Sequence, residues 1–359
     1  MELILNSDVR LIVFNDSYCF RKGIWDSNDA ILEISGESSE LQEVYHKVCE
    51  KLLNNRAFDT EVIRTILTED DYLKFTEVVE ALMASDFLID KKQSNTQEAV
   101  VRVLLGEFSQ LSLNSSNEKD RRPLLFISDS IEVEESAKSL FDILDIKADI
   151  ADSDFKTQLR KSFSINEFDS LKEIEEHNRL TNLLKKYQSI LICQVKVDIL
   201  MIRNINEVIC ELGTKLLLGF LDGPFVHMCT LAPPKTADFD SLERRILARL
   251  EDSILYRSHI SQLSNKTQEL NLGFLPILNI LLNLIVAEAI LISETGTSKF
   301  EGRLLSIYIP TIEIQVQDIL KMSNSKTQGT MAKKKFEIQQ IKTNKLINNL
   351  LEQEQKDRC

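Results

Sequence analysis

Apolar residues fall into two textures along the chain. In the first ninety positions, short β-branched and aromatic runs at Val9 to Phe14, Tyr18 to Arg21 and Ala30 to Ile34 are parted by Asn-Asp-Ser and Asp-Ser-Asn-Asp, a pattern that predicts a three-stranded meander. Leu41, Val44, Val48 and Leu52 then recur at helical spacing between Ser39 and Leu53. Asp59 and Thr68 are placed to cap two further helices, the second with Phe75, Val79 and Leu82 on one face, and Phe87 to Ile89 reads as a closing wing strand. Strands, three helices and a wing predict a winged helix-turn-helix.

Beyond a polar linker at Lys91 to Gln97, a helix is expected from Glu98, then a polar loop over Ser112 to Arg122. From Pro123 the texture alternates: buried strand to Ser128, helix Val133 to Leu144, strand Gln188 to Gln194, helix Val197 to Leu212, strand Lys215 to Leu221. Such alternation predicts a mostly parallel, helix-covered sheet. Phe239, Leu242, Ile246, Leu250 and Ile254 predict one amphipathic helix from Phe239 to Tyr256. Leu272 to Ile292 is long enough to cross a bilayer, yet Pro276, Asn279, Asn283 and Glu288 favour a buried core helix. The polar tail from Ala332 keeps an apolar stripe, including Phe336, Ile341 and Leu350, suited to docking on a partner or on its own domain.

Charge changes this picture at one place. Between Asp59 and Asp90 lie nine acids and the two bases Arg64 and Lys74, within a chain of net charge −13. Phosphates would be repelled by such a helix, which argues against nucleic acid and for a cationic peptide segment. The six cysteines stand singly, without a ligand spacing, and suit a reduced cytosol. No basic flank precedes an apolar stretch at the N-terminus, so no signal peptide is expected, and the localisation expected is cytoplasmic.

Chemistry-bearing motifs are sparse. Among only ten glycines there is no phosphate-cradling Gly-x-Gly-x-x-Gly or P-loop, and Ser128-Asp129-Ser130-Ile131-Glu132 puts carboxylates where a cradle needs bare amides. His227 and Cys229 share a strand face, which makes a Cys-His site conceivable, but nothing in the sequence orients the imidazole. No catalytic residue is expected.

Several segments carry a resemblance to a known family. The stretch NSDVRLIVFNDSYCFRKGIWD, Gly223-Pro224-Phe225 followed by the ERRILARLED helix, and LLSIYIPTIEIQVQDIL, read as one strand, together resemble the C component of streptolysin S-type (SagC-type) cyclodehydratases. That resemblance implies a winged-helix precursor-peptide recognition domain over residues 1–92, a degenerate ubiquitin-activating-enzyme-like α/β domain over 99–330, and the tail over 331–359. It further implies that the chain holds a leader peptide and delivers it to a YcaO-class subunit, which consumes the ATP and forms thiazoline and oxazoline rings, with a flavin-dependent dehydrogenase as a further partner. The leader is expected as an added strand on the edge formed by Ala30, Leu32 and Ile34, against Tyr72, Phe75 and Val79. Where many relatives carry two Cys-x-x-Cys pairs, this chain has Asp238 and Ser241, then Ser325 and Gln328, so neither zinc nor another cofactor is expected. The alternatives are an adenylating enzyme of the ubiquitin-activating-like fold and a winged-helix transcriptional regulator.

Overall fold

The computed structural model describes residues 1–14, 17–25, 27–91, 96–108, 122–160, 170–250, 253–262 and 272–322. They belong to two compact units, Met1–Ala99 and Val100–Cys359. Most of the polar linker and loop, Ser325, Gln328 and the C-terminal tail lie outside the described residues.

In the first unit, β2 (Val9–Phe14), β3 (Ser17–Lys22) and β4 (Asn28–Glu33) form the expected antiparallel meander. A strand the pattern did not disclose, β1 (Glu2–Leu5), lies between β5 (Phe58–Asp59) and β6 (Leu88–Asp90) in a second small sheet. The wing strand thus pairs with the start of the chain, a long-range partnership that local periodicity cannot reveal. The helices are α1 (Ser39–Leu53), α2 (Thr60–Arg64) and α3 (Glu69–Ala84). Asp59 accepts the amide of Glu61 at 3.0 Å and Thr68 that of Asp71 at 3.4 Å, the caps the sequence marks. Leu41, Val44, Val48 and Leu52 of α1 all enter the core, together with Phe20, Phe58, Phe75 and Phe87.

After α4 (Thr96–Leu105), the second unit is a seven-stranded sheet. Its strands are β7 (Leu124–Ser128), β8 (Ala148–Ile150), β9 (Ser189–Gln194), β10 (Lys215–Asp222), β11 (Phe225–Leu231), β12 (Arg303–Tyr308) and β13 (Glu313–Asp318), in the order β13-β12-β11-β10-β9-β7-β8. The four from β8 to β10 run parallel; β11, β12 and β13 continue the sheet as an antiparallel ribbon. Helices α5 (Ile131–Ile143) and α11 (Leu275–Thr295) cover one face. On the other face lie α6 (Ser153–Arg160), α7 (Ser170–Leu184), α8 (Ile199–Leu212) and α9 (Phe239–Leu247). This is the α/β fold class the alternation predicts, preceded by a winged helix.

The segment Leu272–Thr295, in which an 18-residue stretch has mean hydropathy 2.3, is apolar and long enough to cross a membrane. In the fold it is a core helix: Leu278, Leu281, Leu282 and Ile285 of α11 are fully buried. The helix lies so close to β10 that a Cβ on Gly219 would sit 2.6 Å from Ile285 Cδ1 and 2.8 Å from Leu281 Cδ1. Only glycine fits there without repacking.

Two expectations are corrected. The helix predicted from Phe239 to Tyr256 is two, α9 and α10 (Ser253–Gln262), because only Phe239 and Leu242 of the stripe are buried while Leu250 and Ile254 remain 42% and 74% exposed. Nothing in the core therefore holds the helix continuous past Leu247. The single strand read in LLSIYIPTIEIQVQDIL is a hairpin, turning at residues 309–312 with Ile312 at φ 56°. Neither β8, only three residues long, nor α6 and α7 stood out from the sequence.

Candidate functional site

Two regions can bind something: the crevice at the carboxyl ends of the parallel strands, and the outer edge of the winged-helix unit. In the sheet, β8 lies on one side of β7 and β9 on the other. Strand order reverses there, and open α/β sheets take ligands at such a point.

Asp129, the first residue after β7, fills this crevice. Its carboxylate accepts the amide of Val195 at 3.0 and 3.1 Å and that of Lys196 at 2.7 Å, the two residues that follow β9. Burial pushes the Asp129 carboxyl up, and the amides of Lys196 and Val195 hold it down. The neighbouring amides are engaged as well. Gln194 Oε1 accepts the amide of Asp198 at 3.1 Å; Asp198 caps α8 through the amide of Met201 at 3.1 Å and is ion-paired with Arg160. Ser130 caps α5. A phosphate entering here would meet a carboxylate and amides already hydrogen-bonded by this chain, the opposite of an anion cradle. The pair of carboxylates noticed in Ser128-Asp129-Ser130-Ile131-Glu132 thus divides: Asp129 turns inward to the amides, and Glu132 accepts from Ser130 Oγ at 2.6 Å.

Asp238 and Ser241 form a hydrogen-bonded clasp. Asp238 accepts from the amide of Ser241 at 2.9 Å and from its hydroxyl at 2.5 Å, capping α9. The Ser241 oxygen in turn accepts the amide of Met322, 3.2 Å away and 81 residues along the chain. Among the described residues no cluster of histidine, cysteine and carboxylate could hold a metal ion. The clasp ties the start of α9 to the segment after β13 through the Ser241 hydroxyl.

His227 and Cys229 do not form a catalytic pair. Cys229 is fully buried and burial pushes its thiol up to about 12, so no thiolate is available near neutrality. The imidazole of His227 is bonded to Ser306 Oγ at 2.9 Å and stacks with Phe225, and burial lowers its pKa. It is a neutral packing residue.

In the first unit, β4 is the outermost strand of its sheet, paired only with β3 among the described residues. Of the six residues expected to hold a leader, Ala30 and Leu32 on β4 and Tyr72 on α3 are half-buried and border the core. Ile34, Phe75 and Val79 are buried at 2%, 1% and 6% exposure. Phe75 packs between Tyr45 and Phe58. These three form the floor under the face rather than its surface. The chain leaving β4 is tied to α3 by Lys74 and Glu37 at 3.1 Å and by Ser38 and Asp71 at 2.8 Å, which fixes the spacing between strand and helix. Arg64 lies 5.7 Å over the ring of Tyr72. Apolar side chains standing in solvent on these two elements are Ile31, 65% exposed, and Leu73, 59% exposed. Neither belongs to a core stripe, and an apolar residue off the stripe is the signal by which sequence could have marked them. A cavity of about 290 Å³ opens between α1 and α2, lined in part by Val48, Lys51, Phe58 and Val62, and none of the six expected residues lines it.

The sequence matches no protein-family model and no curated protein. The fold does match solved structures. A heterocyclase in complex with substrate and cofactor aligns with TM-score 0.57 over 90% of this chain at 12% identity, and the heterocyclase TruD with TM-score 0.56 over 90% at 12%. The chain spans only 39% and 42% of those two proteins. Escherichia coli MccB with ATP aligns with TM-score 0.50 at 13% identity, over 92% of this chain and 100% of MccB. The chain therefore has a fold shared with peptide heterocyclases and with MccB, a winged helix joined to an α/β domain of the ubiquitin-activating-enzyme-like type.

Proposed function

We propose that this chain is a leader-binding and scaffold subunit of a peptide cyclodehydratase. It holds a ribosomal precursor by its leader and presents the core peptide to an ATP-using YcaO-class subunit that forms azoline rings, with a flavin-dependent dehydrogenase as a further partner, in a reducing cytosol. The observation that carries this reading is Asp129 lying across the amides of Val195 and Lys196, since it turns the nucleotide crevice of the fold into a closed structural element. Supporting it are the likeness to heterocyclases and the free edge of β4 beside an acidic α3. In this reading the recognition domain is residues 1–92, the scaffold is 99–330, and no zinc or other cofactor resides in the chain.

The leader adds to β4 by main-chain hydrogen bonds, with contacts from Ala30, Leu32 and Tyr72 over the floor of Ile34, Phe75 and Val79. Tethering then raises the local concentration of core peptide at the partner's active site without any chemistry here. The test is a reconstituted reaction with the YcaO-class subunit. Adding this chain should accelerate processing of a leader-bearing substrate far more than of a leaderless one; equal acceleration of both refutes leader delivery.

A second reading, an adenylating enzyme, has one observation in its favour, the alignment that spans all of MccB. Calorimetry with ATP decides between them: micromolar binding by the isolated chain would put adenylation first.

A further inference from the structure

We propose that β13 is a self-complementary edge through which two copies of this chain join their sheets into one. Among the described residues β13 ends the seven-stranded sheet, and all six of its residues are exposed. Strand edges in proteins that stay single are guarded by charged side chains, lysine above all, by proline, a bulge or a covering element, and the two charges of β13, Glu313 and Asp318, stand only at its ends. Within Glu313–Asp318 there is no lysine or proline, and the register against β12 runs unbroken from Arg303 opposite Asp318 to Tyr308 opposite Glu313.

The ladder fixes which backbone groups face outward. The amide of Ile319 donates to the carbonyl of Gly302 at 2.8 Å, and that of Ile309 to Pro224 at 3.0 Å on the other side of β12. Both bonds, carried along the registers, turn the amides and carbonyls of Glu313, Gln315 and Gln317 toward β12. Ile314, Val316 and Asp318 therefore present theirs to the open edge.

A second copy fits this edge in one register. Antiparallel strands of two identical chains are related by a two-fold axis normal to the sheet, which pairs residues of the same face. Centred on Gln315, the axis sets Ile314 opposite Val316 of the other copy and Val316 opposite Ile314, with Glu313 opposite Gln317. Apolar side chains meet apolar ones, and no carboxylate faces another. Centred on Val316, the axis would set Ile314 against Asp318. The apolar side of this ribbon continues one face of the core, since Ile314 and Val316 lie opposite Ile307 and Leu305. Ile314 and Val316, 62% and 50% exposed in the single chain, would be covered across the joint. Other occupants, such as residues 323–359 or a strand of another protein, offer no such matching of the edge to itself.

Sedimentation velocity of the full chain over roughly a hundredfold range of concentration is the first arm. A dimer is expected, weakened about tenfold or more by Val316→Pro, which removes an outward amide. Val316→Lys, which places charges across the apolar joint, should do the same and serves where the proline variant loses its circular-dichroism signature. A parent chain that stays monomeric throughout, or a folded Val316→Lys variant that dimerises as well as the parent, overturns the proposal. The second arm reads the register in a Cys359→Ser background. Gln315→Cys should form a disulfide-linked dimer on mild oxidation, because residues opposite each other in a non-hydrogen-bonded pair lie about 4.5 Å apart at Cα, within the range a disulfide spans. Gln317→Cys should not, as its two copies would be about 13 Å apart. Equal cross-linking of both variants, or of neither, sinks the edge-to-edge pairing.

Discussion

The crevice between β7 and β9 and the outer edge of β4 are finished in opposite ways. In the crevice, the chain's own side chains satisfy the backbone: Asp129, Gln194 and Asp198 take up the amides of Val195, Lys196, Asp198 and Met201. Along β4 the floor of Ile34, Phe75 and Val79 is packed into the core, while Ala30, Leu32 and Tyr72 remain half-buried and the outer edge has no partner among the described residues. An amide that already has a carboxylate is not available to a ligand; a strand edge without a partner is. In this protein the difference separates a region satisfied by its own side chains from a strand edge that has no partner among the described residues.

The sharpest way to break this contrast is to alter each region and ask whether the other notices. Tyr72→Ala should weaken binding of a fluorescent leader peptide by about tenfold or more, as for a central aromatic anchor, while melting temperature stays within a few degrees of the parent. Unchanged affinity with a folded protein would place the leader elsewhere, and the cavity between α1 and α2 would be the next site to probe. Asp129→Ala should do the reverse, destabilising the chain by about 1–3 kcal/mol through loss of the carboxylate's hydrogen bonds to the amides of Val195 and Lys196 and leaving leader affinity unchanged. If that variant gained ATP binding in calorimetry, the crevice would be a masked nucleotide site rather than a structural one.

A comparable effect, of about 1–3 kcal/mol, is expected from Gly219→Val, which forces Ile285 and Leu281 of α11 away from β10. Chemical denaturation should show it, again without change in leader affinity. Ser241→Ala, which removes the hydroxyl's bonds to Asp238 and Met322, should cost about 1–2 kcal/mol, with chelator leaving the melting temperature of parent and variant unchanged. Smaller still is a pH effect. Glu288 on α11 accepts from Ser298 Oγ at 2.6 Å and from the amide of Lys299 at 2.9 Å, and burial raises its pKa above the usual carboxylate value. A carboxyl whose folded pKa is raised binds protons more readily folded than unfolded, so its contribution to stability falls as pH rises from the unfolded pKa through the folded one. The melting temperature of Glu288→Gln relative to the parent should therefore climb across that window and be flat above it; a difference that shrinks with rising pH would contradict the assignment.

Much of the fold could be read from local pattern. The α1 stripe of Leu41, Val44, Val48 and Leu52, the caps Asp59 and Thr68, and the buried runs that became β7, β9 and β10 all lie where spacing put them. Phe75 and Val79 were legible as an apolar face of α3, but the same periodicity that marks a core face also marks a groove, and the two differ only in what packs against them. The helix from Phe239 broke at Leu247 for a related reason: Leu250 and Ile254 continue the spacing but find no core to enter.

By itself the sequence determined the class of the molecule, since apolar periods of two and of three to four residues, together with capping side chains, act over a few neighbours and need no tertiary partner. It also determined the acidity of α3, and that no Cys-x-x-Cys pair occurs in the chain. Only the tertiary structure decided that β1 completes the winged helix, that Asp129 closes over amides 66 and 67 residues away, and that Ser241 clasps Met322. Each of these is a hydrogen bond between segments distant in the chain, and a polar side chain in sequence does not declare which remote amide it will satisfy.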